Sequence, residues 1–184
     1  MKILFVSTRD QLNDPLLSGG TALSRNNLAA LRRLGDVSVC STIPKTEGRI
    51  LQILRYAAVM WGKLGGLTPL AELRVLVTVC AQRPDVVFLD HSQLGSICRP
   101  LKLVFPHLRV LVHFHNIEAD YIRTSRSGPE LLIDYVAAVA DEVEACAIEN
   151  CDFAVFLTEA DRVSARCPIG KAGVLPAVTS TDEF

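Results

Sequence analysis

Short apolar runs alternate with amphipathic stretches along the whole chain. Each apolar run is a few residues long and ends in polar residues, which is the pattern of a buried strand in a parallel sheet. The predicted strands cover residues 2–7, 36–41, 85–90, 110–114, 152–157 and 172–175. The fourth of them runs directly into a polar turn at His115 and Asn116.

The stretches between these runs repeat apolar residues at helical spacing. They predict helices over residues 22–34, 49–64, 69–82, 93–105 (perturbed at Pro100), 118–123, 130–150 and a short one from 158. In the helix over 130–150 the acidic residues, Glu144 among them, are expected to face water. Strands that alternate with helices predict an α/β fold: a single doubly wound Rossmann-like domain with a mainly parallel sheet.

Polar clusters follow four of the predicted elements. They are Gly19 and Gly20; Asp90 and His91; His113, His115, Asn116 and Glu118; and Thr158 and Glu159. Because the carboxyl ends of parallel strands open onto one edge of the sheet, where such folds bind their ligands, the clusters are expected to converge there. Thr158 is also expected to cap the helix that follows it.

Each cluster allows a chemical and a structural interpretation. The glycines of Ser18-Gly19-Gly20 let backbone N–H groups approach a phosphate or sugar at a helix start, or they serve only a turn. His115 can bind a substrate hydroxyl, act as a base, or be a structural histidine. His113 and His115 with Glu118 could bind a metal, but one histidine must lie deep in the sheet and no fourth ligand is evident, so no metal site is expected.

Composition narrows the function further. The net charge is -1, so no global basic charge favours nucleic acid. The six cysteines form no CxxC pair and are expected to be reduced, as in a cytoplasmic protein. The dinucleotide fingerprint, the Walker loop and the GxSxG elbow are absent, which disfavours a small nucleotide-dependent enzyme and a serine hydrolase.

The predicted helix over 49–64 is amphipathic, carries Arg49, Arg55, Trp61 and Lys63, and has no acidic residue. Such a helix can lie on an anionic membrane surface. Alternatively, it packs on the sheet or on a partner domain.

The order of these motifs resembles the amino-terminal half of a group 1, or GT4-type, glycosyltransferase. The matching segments run in register along nearly the whole chain: MKILFVS, SGGTALSRNNLAALRRLGDVSVCS, PDVVFLDHS, VLVHFHNIEADYIR, CDFAVFLTEADR and VLPAVTSTDEF. The resemblance implies a GT-B architecture, in which two Rossmann-like domains enclose the active site, and a retaining transfer of sugar from a nucleotide-sugar to an acceptor, usually without a required metal or other cofactor.

Carried onto this sequence, the resemblance gives the site residues provisional roles. Gly19 and Gly20 would lie against the donor diphosphate or the transferred sugar, and His115 would contact a sugar hydroxyl in the catalytic site. Asn116 and Glu118 would shape the turn, and Thr158 and Glu159 would line the cleft floor.

The carboxyl half of the family, with its Glu-x7-Glu pair and diphosphate-binding residues, has no counterpart in the sequence. Residues 1–184 are therefore expected to be the acceptor-side domain, inactive without its nucleotide-sugar-binding carboxyl-terminal domain. That domain, the nucleotide-sugar and the acceptor would be its partners, in the cytoplasm or peripherally at the inner face of the membrane through 49–64. The alternative is a self-contained flavodoxin-like ligand-binding or regulatory domain without catalysis.

Overall fold

The computed structural model describes residues 1–8, 19–43, 48–125 and 128–176. Six strands form one sheet in which every neighbouring pair is parallel. The strands are β1 (Lys2–Ser7), β2 (Asp36–Ser41), β3 (Val86–Leu89), β4 (Arg109–Phe114), β5 (Phe153–Phe156) and β6 (Ala172–Val174). The order across the sheet is β2-β1-β3-β4-β5-β6.

Seven α-helices connect the strands in the described residues. They are α1 (Gly19–Leu34), α2 (Arg49–Met60), α3 (Pro69–Gln82), α4 (Cys98–Val104), α5 (Glu118–Ser125), α6 (Glu130–Asn150) and α7 (Glu159–Ser164). Two short 3-10 helices, Ser92–Ile97 and Ile169–Lys171, complete the connections. The protein therefore has the predicted α/β, Rossmann-like fold.

The alternation of side chains along each strand produces two cores, one on each face of the sheet. On one face Leu28 of α1 packs against Ile3, Phe5 and Phe88. The larger core on the opposite face buries Leu4 and Val6 of β1 against α3, the 3-10 helix Ser92–Ile97, α4 and α6. This packing fixes the carboxyl ends of β3 and β4 side by side.

Several elements end where the sequence predicted, namely β1, β2, α3 and α6. The α2 helix stops at Met60 rather than residue 64, because Trp61 and Gly62 turn the chain and Gly62 adopts a positive φ of 70°. The segment predicted as one helix over 93–105 is instead a 3-10 helix followed by α4. Pro100 is the third residue of α4, where an N–H has no intrahelical acceptor in any case.

The prediction that Glu144 faces water is wrong. Its residue is 5% exposed, and its carboxylate accepts hydrogen bonds from the Ser92 hydroxyl and the Glu118 backbone N–H, each at 2.9 Å. Helical spacing predicted the apolar face of α6, but it could not predict that neighbouring loops supply donors to a carboxylate at the border of that face.

The α2 helix leaves its apolar residues largely uncovered among the described residues. Ile50 and Ile53 are 75% and 66% exposed, and Trp61, directly after the helix, is 67% exposed, whereas Ala58 is buried. The expectation that this helix packs on the sheet is therefore not met by these three side chains. No described helix is long and apolar enough to cross a membrane. All six cysteines are free thiols; four are buried, Cys146 is half-buried and Cys80 is exposed.

Candidate functional site

The carboxyl edge of β3 and β4 brings together three of the four histidines of the chain. Asp90 and His91 directly follow β3, His113 is the fifth residue of β4, and His115 comes just after β4. Asp90 and His113 are almost completely buried, and the side chain of His115 is only 6% exposed. We call Asp90, His91, His113 and His115 the histidine cluster.

The imidazole rings of the histidine cluster are in direct contact. The ring centroids of His91 and His115 are 3.8 Å apart, and those of His113 and His115 are 4.8 Å apart at an edge-to-face angle of 65°. Nε2 of His115 lies 3.4 Å from Oδ1 of Asp90, close enough for an ion pair but without hydrogen-bond geometry. The cluster is therefore a compact set of polar rings around one carboxylate.

Burial keeps two of these imidazoles neutral. It lowers the pKa of His91 to about 3 and that of His113 to about 4, in each case helped by the neighbouring His115 and opposed by the charge of Asp90. Near neutral pH, His91 and His113 therefore present lone pairs and N–H groups rather than positive charges.

Many polar atoms of the histidine cluster have no hydrogen-bond partner among the described residues. They are Oδ2 of Asp90, Nε2 of His113 and both ring nitrogens of His91 and of His115. Burying such groups unsatisfied is costly, by about 1–3 kcal/mol each, and native structures rarely do so without a ligand, water or ion. The concentration of these atoms at one point makes it the candidate binding site.

Asn27 supports the cluster from α1 and was missed in the sequence. Its side-chain amide donates to Oδ1 of Asp90 at 2.9 Å and lies 2.7 Å from Nδ1 of His113. The only sequence signal was a polar residue beside Leu28, the residue that anchors α1 on the sheet.

The turn after β4 is held by α6, on the face of the sheet opposite α1. Glu118 begins α5 and is buried, which raises the pKa of its carboxyl group; a side-chain hydrogen bond with Gln93 opposes that shift. Its backbone N–H donates to Glu144. Asn116 lies between His115 and Glu118 and is half-buried. As expected from the sequence, Glu118 lies at this edge, but its contacts tie the turn to α6.

Gly19 and Gly20 are the first two residues of α1, and Ser18 lies outside the described residues. A Cβ atom added to Gly20 would meet nothing within 4 Å. Local packing therefore does not require glycine at this position.

Thr158 and Glu159 follow β5, the strand beside β4, but their hydrogen bonds are local. Thr158 Oγ1 accepts from the Asp161 backbone N–H at 3.0 Å and donates to the Asp161 carboxylate at 2.7 Å, as the predicted cap requires. Glu159 pairs with Arg162, which lowers the pKa of the Glu159 carboxyl group. These contacts assign both residues a place in α7 and do not join them to the histidine cluster.

One group within the described residues has the composition and spacing of a metal site. Asp90, His113 and His115 each offer a ligand atom, and these atoms lie within 4.8 Å of one another. The grouping contains both histidines that the sequence singled out, but Asp90 takes the place considered for Glu118.

A cavity of about 390 Å³ opens beside the cluster, and His91 forms part of its wall. Two cationic side chains, Arg55 and Lys63, line it together with Thr8 and Gln93. Lys63 also pairs with Glu72 at 2.8 Å. Thr8 follows β1 and His91 follows β3, so the cavity lies at the carboxyl end of the strand pair where the sheet order changes direction.

A larger cavity, of about 710 Å³, lies at the amino end of the strands and is lined by Arg83, His107 and Arg109 among others. It is remote from the histidine cluster.

No protein-family model matches the chain, and no curated protein matches it.

Proposed function

We propose that this chain is the acceptor-side domain of a retaining glycosyltransferase with GT-B architecture, and that its carboxyl edge binds the acceptor and contacts the donor sugar. The observation that carries this proposal is the coincidence of the direction change between β1 and β3 with a cavity and a cluster of unsatisfied buried polar atoms. Open α/β sheets bind their ligands at such a point.

The chemistry of the edge suits a polyhydroxylated ligand. Neutral histidines and a buried carboxylate together offer donors and acceptors to hydroxyl groups. The volume of about 390 Å³ falls in the usual range for a small-molecule site. Arg55 and Lys63 would favour an acceptor that carries a phosphate or another anionic group.

His115 is the residue we assign to the transferred sugar. It is the last histidine before the turn into α5 and both of its ring nitrogens lack a hydrogen-bond partner among the described residues. In this role it would hold a sugar hydroxyl, while Gly20 leaves room for the diphosphate at the start of α1. Asn116 and Glu118 would set the shape of the turn.

The remaining parts of the proposal follow from the resemblance. A second, carboxyl-terminal domain would bind the nucleotide-sugar, so this domain alone should not sustain transfer. The protein would act in the cytoplasm, and the exposed apolar residues of α2, together with Arg49 and Arg55, would give it peripheral contact with an anionic membrane surface.

The test compares His115→Ala with His107→Ala in the complete gene product, measuring transfer from a panel of nucleotide-sugars to glycan and lipid-phosphate acceptors. We expect His115→Ala to lower kcat/KM by about 100-fold with little change in folding, since the lost contact orients the reacting sugar. His107 is exposed and lines the other cavity, so its replacement should leave transfer unchanged. Equal activity per folded molecule in the two variants would reject the assigned role of His115.

A second candidate is a flavodoxin-like binding domain without catalysis. The strand order favours it, because β2-β1-β3-β4-β5 is the flavodoxin-like order rather than that of the dinucleotide-binding fold. Ligand binding at the same cavity without transfer by the complete gene product would support this candidate.

A further inference from the structure

We propose that Asp90, His113 and His115 bind a divalent transition-metal ion, with Zn²⁺ as the best match. Two imidazoles and one carboxylate are a donor set found in catalytic zinc sites and in non-haem iron sites. The resemblance to group 1 glycosyltransferases implies no required metal, so this inference rests on the residues alone and departs from that expectation.

The three side chains are close enough to share one ion. The three potential ligand atoms lie within 4.8 Å of one another. Bonds of about 2.0–2.2 Å to a tetrahedral ion bring ligand atoms to about 3.4 Å from each other. Side-chain movements of about an ångström would therefore close the site. His115 Nε2 already lies 3.4 Å from the Asp90 carboxylate, at Oδ1, the oxygen that also accepts from Asn27.

The same three side chains carry buried polar atoms that nothing else in the described residues satisfies. Asp90, His113 and His115 are each more than nine-tenths buried as side chains, yet Asp90 Oδ2, His113 Nε2 and both nitrogens of His115 have no hydrogen-bond partner among the described residues. A single cation would satisfy one atom from each residue and balance the buried carboxylate.

Asn27 contacts two of the three potential ligands from α1. Asn27 contacts both Asp90 and His113 through its side-chain amide, as outer residues do in metal sites. The amide nitrogen of Asn27 faces both Asp90 Oδ1 and His113 Nδ1, an arrangement in which the His113 proton lies on Nε2. Binding of an ion through Nε2 moves that proton to Nδ1, and the Asn27 amide must then turn its oxygen toward Nδ1 and exchange its hydrogen bond to Asp90 for one from His113. Three protein ligands leave a coordination position for water or for a substrate oxygen, and the ring of His91 lies 3.8 Å from that of His115.

The site can be tested without any substrate, so its outcome is separate from that of the proposed function. The untagged chain, stripped with a chelator, is titrated with Co²⁺ and then with Zn²⁺. We expect saturable binding of one ion per chain, a visible Co²⁺ absorption without a thiolate charge-transfer band, and displacement by Zn²⁺. The absence of a thiolate band is required because six free cysteines compete for such ions.

The variants locate the ion. His115→Gln and, separately, Asp90→Asn should weaken binding by at least about tenfold, whereas the matched replacement of the exposed fourth histidine, His107→Gln, should not change it. Circular dichroism shows whether each variant is folded. If Asp90→Asn does not fold, His115→Gln alone decides whether the ion binds at this site. Absence of saturable binding, a thiolate spectrum, or unchanged affinity in folded His115→Gln would overturn the proposal.

Discussion

At the scale of single residues, Glu144 shows how a buried carboxylate holds the candidate site together. It accepts hydrogen bonds from Ser92, two residues after Asp90, and from the backbone of Glu118, three residues after His115. One side chain of α6 thereby links the loops that follow β3 and β4.

Glu144 should make the stability of the protein depend on pH. Burial raises its pKa from 4.5 to about 7, against the hydrogen bonds that favour the ionised form. The folded state therefore holds the proton more tightly than the unfolded chain does. Between about pH 4.5 and pH 7 this group should lower the free energy of unfolding as pH rises, by ~3 kcal/mol at most.

The measurement is urea unfolding of the native protein and of Glu144→Gln at a series of pH values. The difference in unfolding free energy between the two should change across this range, in the direction that favours the variant at higher pH. Glu142→Gln provides the control, because Glu142 is exposed on the same helix. Parallel pH profiles for the native protein and Glu144→Gln would contradict the assignment.

The sequence predicted the members of the site better than their contacts. Asp90, His113 and His115 could be placed at one edge because polar residues after parallel strands converge there. The contacts of Asn27 with Asp90 and His113 span 63 and 86 residues of sequence, and that of Glu144 with Ser92 spans 52. Local patterning contains no information on such pairings, which depend on how α1 and α6 settle on the sheet.

At the scale of elements, the 3-10 helix Ser92–Ile97 is fixed by its close approach to α6. A Cβ atom at Gly95 would lie 2.6 Å from the Cβ of Ala147 and would also press on the Val143 carbonyl. Both neighbours belong to α6, one of them backbone, so the contact cannot be relieved by a rotamer change. This approach also keeps Ser92 within reach of Glu144.

Gly95→Ala should therefore destabilise the protein by about 1–3 kcal/mol, as overpacking of a close contact does. Gly170→Ala is the matched control, because a Cβ atom there meets nothing within 4 Å. Urea unfolding of both variants measures the effect. Equal stabilities of Gly95→Ala and Gly170→Ala would show that the 3-10 helix Ser92–Ile97 does not pack closely on α6.

The α2 helix should respond to an anionic membrane surface. Trp61, the single tryptophan of the chain, directly follows this helix and is 67% exposed. Its fluorescence emission should shift to shorter wavelength with vesicles that contain anionic lipid and not with zwitterionic vesicles.

The charge dependence of that shift gives its control. Arg49→Gln, in α2, should weaken vesicle binding, whereas Arg33→Gln, at the exposed end of α1, should not. No shift with either vesicle type would favour the alternative in which the apolar residues of α2 contact a protein partner.

At the scale of the whole molecule, the alternation of apolar runs and amphipathic stretches predicted the fold class, since strands buried on both faces need helices between them. The strand order was not predictable in this way. It depends on the crossover from β2 to β3 passing β1, and the same alternation of elements fits other orders. That crossover creates the direction change at which the cavity lies.

Histidine-selective NMR of the chain is a direct test of whether a sugar-bearing ligand binds at the histidine cluster, as we propose. The protein is labelled at its four histidines, kept in chelator, and titrated with nucleotide-sugars and with glycan and lipid-phosphate acceptors. We expect at least one acceptor to shift the ring signals of His91 and His115 in a saturable way while those of His107 stay unchanged. Saturable binding that shifts His107 instead, or no response of His91 and His115 to any of these ligands, would rule out a sugar site at the histidine cluster.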